Sequence, residues 1–416
     1  MTRLVFRAYT PMPEQLKVMV VTYGDPYPPS SGVAIRDYNL LKQLSSSVTL
    51  HLCILATETS APDLSNLSQF CASVVRVPAT PRTLLRTVVN SLRCWSAGFK
   101  LASHPYFYPE LAGTVRSLVR SENIDILQIE HSFLSAYQGA VPPGSRCRTI
   151  LSLHNVGSRQ YARIAETQST VLARLSYAFK SFLIRRMESD SVGKFDRCLV
   201  VSNEEGRVLM RTAPAVKFAV VENGVDCGSI RRLPPSRHHK DLLFIGVINY
   251  APNCDAILYF CKSILPLIRR SIPETHLAVV GHAPPMAVKE LTSTYGITVT
   301  GFVDDPIPYY DDATVCVVPL RAGGGTRLKI LEAMAIGRPV VTTSIGCEGL
   351  EVRDGEHLLV GDSAEDFADH VIRLLQDEGL RRRIIAAARA LVEQRYDWSI
   401  IANSLLQTYH EVMTSI

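Results

Sequence analysis

Short apolar runs recur along the chain, and segments with a helical repeat of apolar positions separate them. The first run is KVMVVTYG, 17–24, followed by a helical pattern from Val33 to Leu44. Further runs are VTLHLCIL at 48–55, DILQIE at 125–130, TILSLHN at 149–155 and RCLVVS at 197–202. Such runs, rich in Val, Ile and Leu, are strands buried on both faces, and their alternation with helices predicts a parallel sheet covered on each side. FAVVENGVD, 218–226, reads as a crossing between halves, and the polar, proline-bearing RRLPPSRHHK after it reads as a linker. The alternation then restarts. DLLFIGV at 241–247, HLAVVGH, ITVTGFV and TVCVVPL are strands, and NCDAILYFCKSILPLIRRS is an amphipathic helix. After HLLVGD comes one long helical run, AEDFADHVIRLLQDEGLRRRIIAAARALVEQRY, and a last helix, WSIIANSLLQTYHEV. The pattern predicts an α/β fold of two doubly wound, Rossmann-like domains facing across a cleft. The expected divisions are a tail at 1–16, a first domain at 17–222, a second at 223–395, and a helix at 396–416 that packs back on the first.

At 416 residues the chain is too long for one hydrophobic core, which agrees with two domains. No apolar run reaches membrane-spanning length, and MTRLVFRAYTPMPEQLK lacks the apolar centre of a secretory signal. The ten cysteines form no CxxC pair and no Cys/His metal spacing, so they read as reduced core residues of a cytoplasmic protein with no metal site. Charge is uneven. Residues 1–225 hold 25 Lys/Arg and 16 Asp/Glu, a net +9, and the remainder holds 19 and 23, a net −4. Two readings of the basic half stay open: an anionic partner such as lipid headgroups or a phosphate-bearing acceptor, or scattered solvated arginines. The helical segment 171–190 divides the same way, between a membrane-surface helix and a helix packed on its own sheet. No nucleic-acid partner is expected.

The chemistry concentrates in RAGGGTRLKILEAMAIGRPVVTT, 321–343. A strand runs into Gly323, Gly324 and Gly325, and a helix pattern opens at Thr326 and closes at Gly337. Glycines let a backbone approach a ligand, and a helix N-terminus offers N–H groups and a positive dipole end to phosphate. Arg327 and Lys329 add two cations, and Glu332 follows one turn later. A diphosphate joined to a hydroxyl-rich group fits this set, as in a nucleotide-sugar. The alternative is a packing turn, with Leu328, Leu331 and Met334 as core.

Together with FIGVINYAPNCDAI, VVG, GFVDD, GCEGL, DGEHLLV and RYDW, this stretch makes the chain resemble a family-4-type glycosyltransferase of the GT-B fold, from about Lys17 onward. The resemblance implies a UDP-, GDP- or similar sugar donor, retention of anomeric configuration, no obligatory metal, no cofactor, and a glycan or lipid-linked acceptor. It places the second of the family's paired glutamates on Glu332, facing the nucleotide ribose. The first falls on Gly324, so contact to the transferred sugar would pass to the amides of Gly324 and Gly325. The family's diphosphate cations follow the FxG strand. Here Gly246 is followed by Val247, Ile248, Asn249 and Tyr250, and Arg327 and Lys329 stand in. Gly246, Asn249, Gly323, Thr326 and Leu328 complete the implied donor surface. His154 matches the family's cleft histidine and, with Arg327 and Lys329, is the implied catalytic set. Ser31 and Gly32 match a loop facing the diphosphate, Glu130 and His131 fall on the acceptor side, and Asn223 and Gly224 make the interdomain turn. Gly324 also keeps a catalytically silent sugar-nucleotide-binding or scaffold protein open. A GT-B phosphorylase or epimerase is a further alternative. A dinucleotide-binding enzyme is disfavoured, because DPYPPSSG rather than GxGxxG follows the first strand.

Overall fold

The computed structural model describes residues 15–56, 64–79, 106–168, 170–236 and 240–414. It contains two sheets. The first holds β1 (Lys17–Tyr23), β2 (Thr49–Ala56), β3 (Ser73–Pro78), β4 (Ile126–Glu130), β5 (Arg148–Leu153), β6 (Arg197–Val200) and β7 (Phe218–Val220), in the order β3-β2-β1-β4-β5-β6-β7. The second holds β8 (Asp241–Ile245), β9 (His276–Val280), β10 (Thr298–Gly301), β11 (Val315–Val318), β12 (Val340–Thr342) and β13 (Leu359–Val360), in the order β10-β9-β8-β11-β12-β13. Strand pairing is parallel throughout both. The strands are buried on both faces: all four residues of the apolar β11 are buried, and so are all five of β4, including the polar Gln128 and Glu130.

In each sheet the strand order reverses beside its first strand, between β1 and β4 and between β8 and β11. Loops leaving the two strands at such a point diverge and open a crevice at their carboxyl ends. This is the expected arrangement of two Rossmann-like domains, and it places the loops after β1, β4, β8 and β11 toward the cleft.

Three local readings change. Phe218–Val220 lies inside the first sheet as its edge strand, so the crossing begins after Val220. The long helical run breaks at Asp377 into Ala364–Gln376 and Glu378–Leu391, because the Asp377 carboxylate caps the second helix at Leu380 N (2.8 Å). The helix after the glycines starts at Leu328 rather than Thr326 and ends at Ile336, with Gly337 in the left-handed region (φ 90°) as its stop.

The helix Trp398–Thr414 returns to the first domain. Trp398, Ile401, Leu405 and Tyr409 are buried in one core with Leu40, Leu41 and Leu44 of the helix Gly32–Leu44. The crossing itself is clamped by buried Arg36, whose guanidinium donates to Val221 O (2.8 Å), Glu222 O (2.6 Å) and Asn223 Oδ1 (2.9 Å).

Candidate active site

On the second domain the glycine loop leaves β11 and its helix begins at Leu328. Lys329 turns from that helix across to the end of β8. Its Nζ donates to Asn253 Oδ1 (3.0 Å) and sits over the Phe244 ring, 4.1 Å from the centroid. Asn253 is held in that pose because its Nδ2 donates to Val247 O (2.8 Å). Gly246 makes room: a Cβ there would lie 2.8 Å from Lys329 Nζ, and its φ of 151° suits glycine alone. Burial, and then the charge of Arg327, bring the Lys329 ammonium down to about 7. Arg327 Nη1 donates back to Gly324 O and Gly325 O, whereas its buried Nη2 has no hydrogen-bond partner. Among the described residues neither cation is bonded to a carboxylate. Glu332, one turn on, accepts from Tyr310 OH (3.4 Å), and burial raises its carboxyl above the ordinary range.

On the first domain, β4 and β5 end side by side in Glu130 and His154. His154 Nε2 lies 2.9 Å from Glu130 Oε2 and 3.6 Å from Asp37 Oδ1. Burial alone would raise Glu130, but the hydrogen bond and charge of His154, helped by Ser152 and Arg36, hold it at about 2. Asp37 is pushed well above the usual carboxylate range by burial and by the Glu130 charge beside it. Glu130 is thus the ionised partner, and His154 Nε2–H donates to it. Behind Glu130, Gln128 Nε2 donates to its Oε1 (2.6 Å), and Tyr409 OH from the C-terminal helix donates to Gln128 Oε1 (2.8 Å). The ring of His131, whose backbone has φ 72°, stacks on His154 with centroids 4.2 Å apart. Burial and the neighbouring His154 keep His131 well below the ordinary histidine value. Asp37, Glu130 and His154 bring three potential metal-ligand atoms within 4.8 Å of one another. The His154–Glu130 hydrogen bond already spends two of them on each other.

The two halves meet directly. The buried Glu205 carboxylate accepts from Val156 N on one side and from Gly325 N (3.0 Å) on the other. Arg159 and Arg163, on the helix Gly157–Thr167, pair with Glu348 at 2.6 and 2.5 Å, and Asn223 Nδ2 donates to Thr326 Oγ1 (2.9 Å). Asn155 Nδ2 donates to Gln160 Oε1 (2.7 Å), whose Nε2 donates to Tyr250 OH (2.6 Å).

These contacts redistribute several expected roles. Gly325 N is occupied by Glu205 and cannot face a sugar. A Cβ on Gly324 would meet the Asn155 and Gln160 Cβ atoms at 3.2 and 3.3 Å, so the place of the missing first carboxylate is filled by two amide side chains from the other domain. The Thr326 hydroxyl is used by Asn223. The Leu328 side chain packs on the first domain, 3.5 Å from a Cβ built on Gly32. Ser31 Oγ caps the helix Gly32–Leu44 at Ala34 N (3.3 Å), and the residue lines the first-domain cavity. The Gly323 carbonyl accepts from Arg163 Nη1 (3.2 Å), and Asn249 is exposed. Sequence reasoning missed Asp37, Glu205, Asn253 and the Asn155–Gln160–Tyr250 chain. Asn253 carried a signal, a polar residue among apolar neighbours at a helix start.

A cavity of about 480 Å³ opens at the carboxyl ends of β1 and β4, lined among others by Tyr23, Asp25, Tyr27, Asp37, His131 and Phe133. A larger one, about 830 Å³, lies at the amino ends of β11 and β12, around Arg232, Pro234, Ile307 and Arg338, away from the crevice.

The His154 loop is braced from below by Glu188, which accepts from Gly157 N (2.7 Å) and Ser158 Oγ (2.6 Å). Burial lifts this carboxyl from 4.5 to about 7 against those hydrogen bonds. A folded-state value above the unfolded one means that the native state binds more protons, so stability falls as pH rises from about 4.5 to about 7. Glu188→Gln is expected to flatten that fall, worth roughly 2–4 °C in melting temperature. Melting curves across the window check this, and parallel wild-type and variant profiles would contradict it.

Residues 30–229 match the model of Glycosyltransferase Family 4, and residues 239–377 match that of Glycosyl transferases group 1. The chain is 32% identical over 209 residues to a phosphatidyl-myo-inositol mannosyltransferase of Mycobacterium leprae (strain TN), a match covering 47% of this chain and 54% of the relative. The match thus spans about half the length of that relative. A protein of Klebsiella pneumoniae, described as an uncharacterized 44.6 kDa protein in a cps region, is 21% identical over 266 residues, 62% of this chain and 67% of that one. Among solved structures, a sucrose-phosphate synthase from Thermosynechococcus elongatus superposes with a TM-score of 0.73 at 18% identity, covering 96% of this chain and 99% of that one. Anabaena HepE in complex with UDP and glucose gives 0.67 at 15% identity, covering 95% and 100%.

Proposed function

The chain belongs to the family-4-type glycosyltransferases of the GT-B fold, and from that premise we propose that it moves a sugar from a nucleotide-diphosphate donor to a hydroxyl acceptor with retention of configuration. One observation carries the proposal. Two half-buried cations, Arg327 and Lys329, stand at a helix N-terminus with no carboxylate among the described residues bonded to either, and one guanidinium nitrogen is buried without a partner. Buried charge is costly unless compensated, and a diphosphate supplies the compensation.

In this mechanism the second domain holds the donor. Lys329 Nζ, Arg327 Nη2 and the positive helix end engage the diphosphate, and the Glu332 carboxylate accepts from ribose hydroxyls. The acceptor oxygen bonds to the anomeric carbon as the bond from that carbon to the diphosphate breaks. The electron pair leaves on the diphosphate, where the cations stabilise it, and the acceptor's proton passes to a departing phosphate oxygen. His154, oriented by Glu130, faces the sugar. The Asn155–Gln160 amides take the polar contacts that the family's first glutamate would make. The contacts across the crevice exclude water from the reacting atoms. The Asp37–His131 cavity receives the acceptor, a glycan or a lipid-linked sugar: its tyrosine and phenylalanine walls suit a sugar ring, and Asp37 suits its hydroxyl.

The test is incubation with UDP-, GDP-, ADP- and dTDP-sugars, without and with simple glycoside acceptors, followed by proton NMR of the anomeric signal. The expected result is consumption of one nucleotide class and a product with the donor's anomeric configuration. An inverted product would contradict retention. No consumption of any donor would contradict the transfer activity.

A further inference from the structure

The helix Val171–Val192 buries only one end. Met187, Glu188, Ser191 and Val192 are buried, whereas Val171, Leu172, Leu175, Phe179 and Phe182 are 51–82% exposed. Their spacings of three and four residues put all five on one face. Single exposed apolar side chains need no explanation, but a contiguous helical stripe marks an interaction surface. Its charge says what kind. From Val171 to Arg186 the helix carries Arg174, Lys180, Arg185 and Arg186 and no acidic residue. The Arg186 guanidinium lies over the Phe182 ring at 5.0 Å, so this cation sits on the stripe itself, and Lys180, over Tyr177 at 5.0 Å, lies on the helix flank beside it.

We infer that this face docks on an anionic lipid surface. An apolar stripe edged by cations buries its side chains at the headgroup boundary while the cations meet lipid phosphates. A protein partner of ordinary composition would leave the cations unpaired, and the chain's own first half is net basic, which favours an anionic surface over a second copy. The face is also coupled to the cleft. Ser181 Oγ donates to Ser158 O (2.7 Å), Glu188 holds Gly157 and Ser158, and those residues follow the His154 loop directly. Docking here would set the cleft beside the bilayer, where a lipid-linked acceptor is found. The lipid inference itself does not depend on the transferase activity. Among the described residues no helix is long and apolar enough to cross a membrane, so the contact is peripheral.

Co-sedimentation of the full chain with phosphatidylcholine vesicles, with and without phosphatidylglycerol, tests the inference. Wild type is expected to partition onto the phosphatidylglycerol vesicles and to come off as salt is raised. The Phe179→Ser, Phe182→Ser double variant is expected to lose partitioning about tenfold or more on both vesicle types, and Arg185→Glu, Arg186→Glu on the anionic type alone. Because these side chains are exposed, all variants should keep the wild-type melting temperature, which separates lost docking from lost folding. Wild type that stays in the supernatant, or variants that bind like wild type, overturns the inference. So does a concentration-dependent dimer, seen by light scattering, that the phenylalanine variant abolishes without any lipid binding.

Discussion

Lys329→Ala is expected to lower kcat/KM for sugar transfer by about 10²–10³-fold and to remove most of the affinity for the nucleotide diphosphate, because one positioned donor to a developing charge is worth that much. The same substitution is expected to raise the melting temperature of the free protein, by roughly 2–4 °C, since it deletes a half-buried ammonium with no carboxylate partner among the described residues. A residue that costs stability without ligand and contributes affinity with it is a binding group rather than a packing group. The pH dependence follows. Free Lys329 titrates near 7, far below its ordinary 10.5, and a bound diphosphate favours the charged form and raises that value. Below about pH 7 the lysine is already charged and binding takes up no proton there. Above it, binding takes up one, and affinity falls by up to about tenfold per pH unit until the bound-state value is reached. Calorimetric titrations at pH 8 in buffers of different ionisation enthalpy would report the uptake, and its persistence in Lys329→Ala would refute the assignment.

Gly325→Ala is expected to lower kcat by about 10²-fold while leaving nucleotide affinity within a few fold. Gly325 has φ 70°, where an alanine is strained, and its new Cβ would stand 2.6 Å from the His154 carbonyl oxygen. That oxygen belongs to the other domain, so separating the domains relieves the clash most cheaply. The cations on the second domain would still hold the diphosphate, but His154 and the Asn155–Gln160 amides would stand off. X-ray scattering should show a larger radius of gyration with donor present than wild type shows. Equal scattering and equal kcat would mean that the Gly325–His154 contact has no part in turnover.

Much of the architecture was legible because its signals are local. Strands β1, β8 and β11 are largely apolar runs, and β4 is broken only by Gln128. Gly337 marks a helix stop by well-understood chemistry, whereas Ser31, read as part of a diphosphate-facing loop, is the cap of the first helix. β3 escaped notice because SVVRVP is short and interrupted by Arg76, which pairs instead with Asp25 across the sheet edge. β7 was hidden because three residues carry no period. For the site, the cations and Glu332 stood out since they share one helix. The residues that complete it do not share a segment. Glu205 joins Val156 to Gly325, Asp37 lies against His154, and Asn253 holds Lys329. The Glu205–Gly325 contact exists only after two domains have met, and the other two pairings only after distant segments of one domain have packed; single-residue propensity carries no trace of any of them. The structure also changed the meaning of glycine. Gly324 reads in the sequence as a lost acid, whereas in space it is the surface on which Asn155 and Gln160 rest.

The central claim is that a nucleotide diphosphate binds at the Leu328 helix start through Lys329 and Arg327. Isothermal titration of UDP, GDP, ADP and dTDP into wild type, Lys329→Ala and Arg327→Ala tests it most directly. The account predicts that one base class binds wild type and that each variant loses about 10²-fold or more in affinity while remaining folded by melting curve. Binding of no diphosphate to wild type, or undiminished binding to both variants, would contradict it.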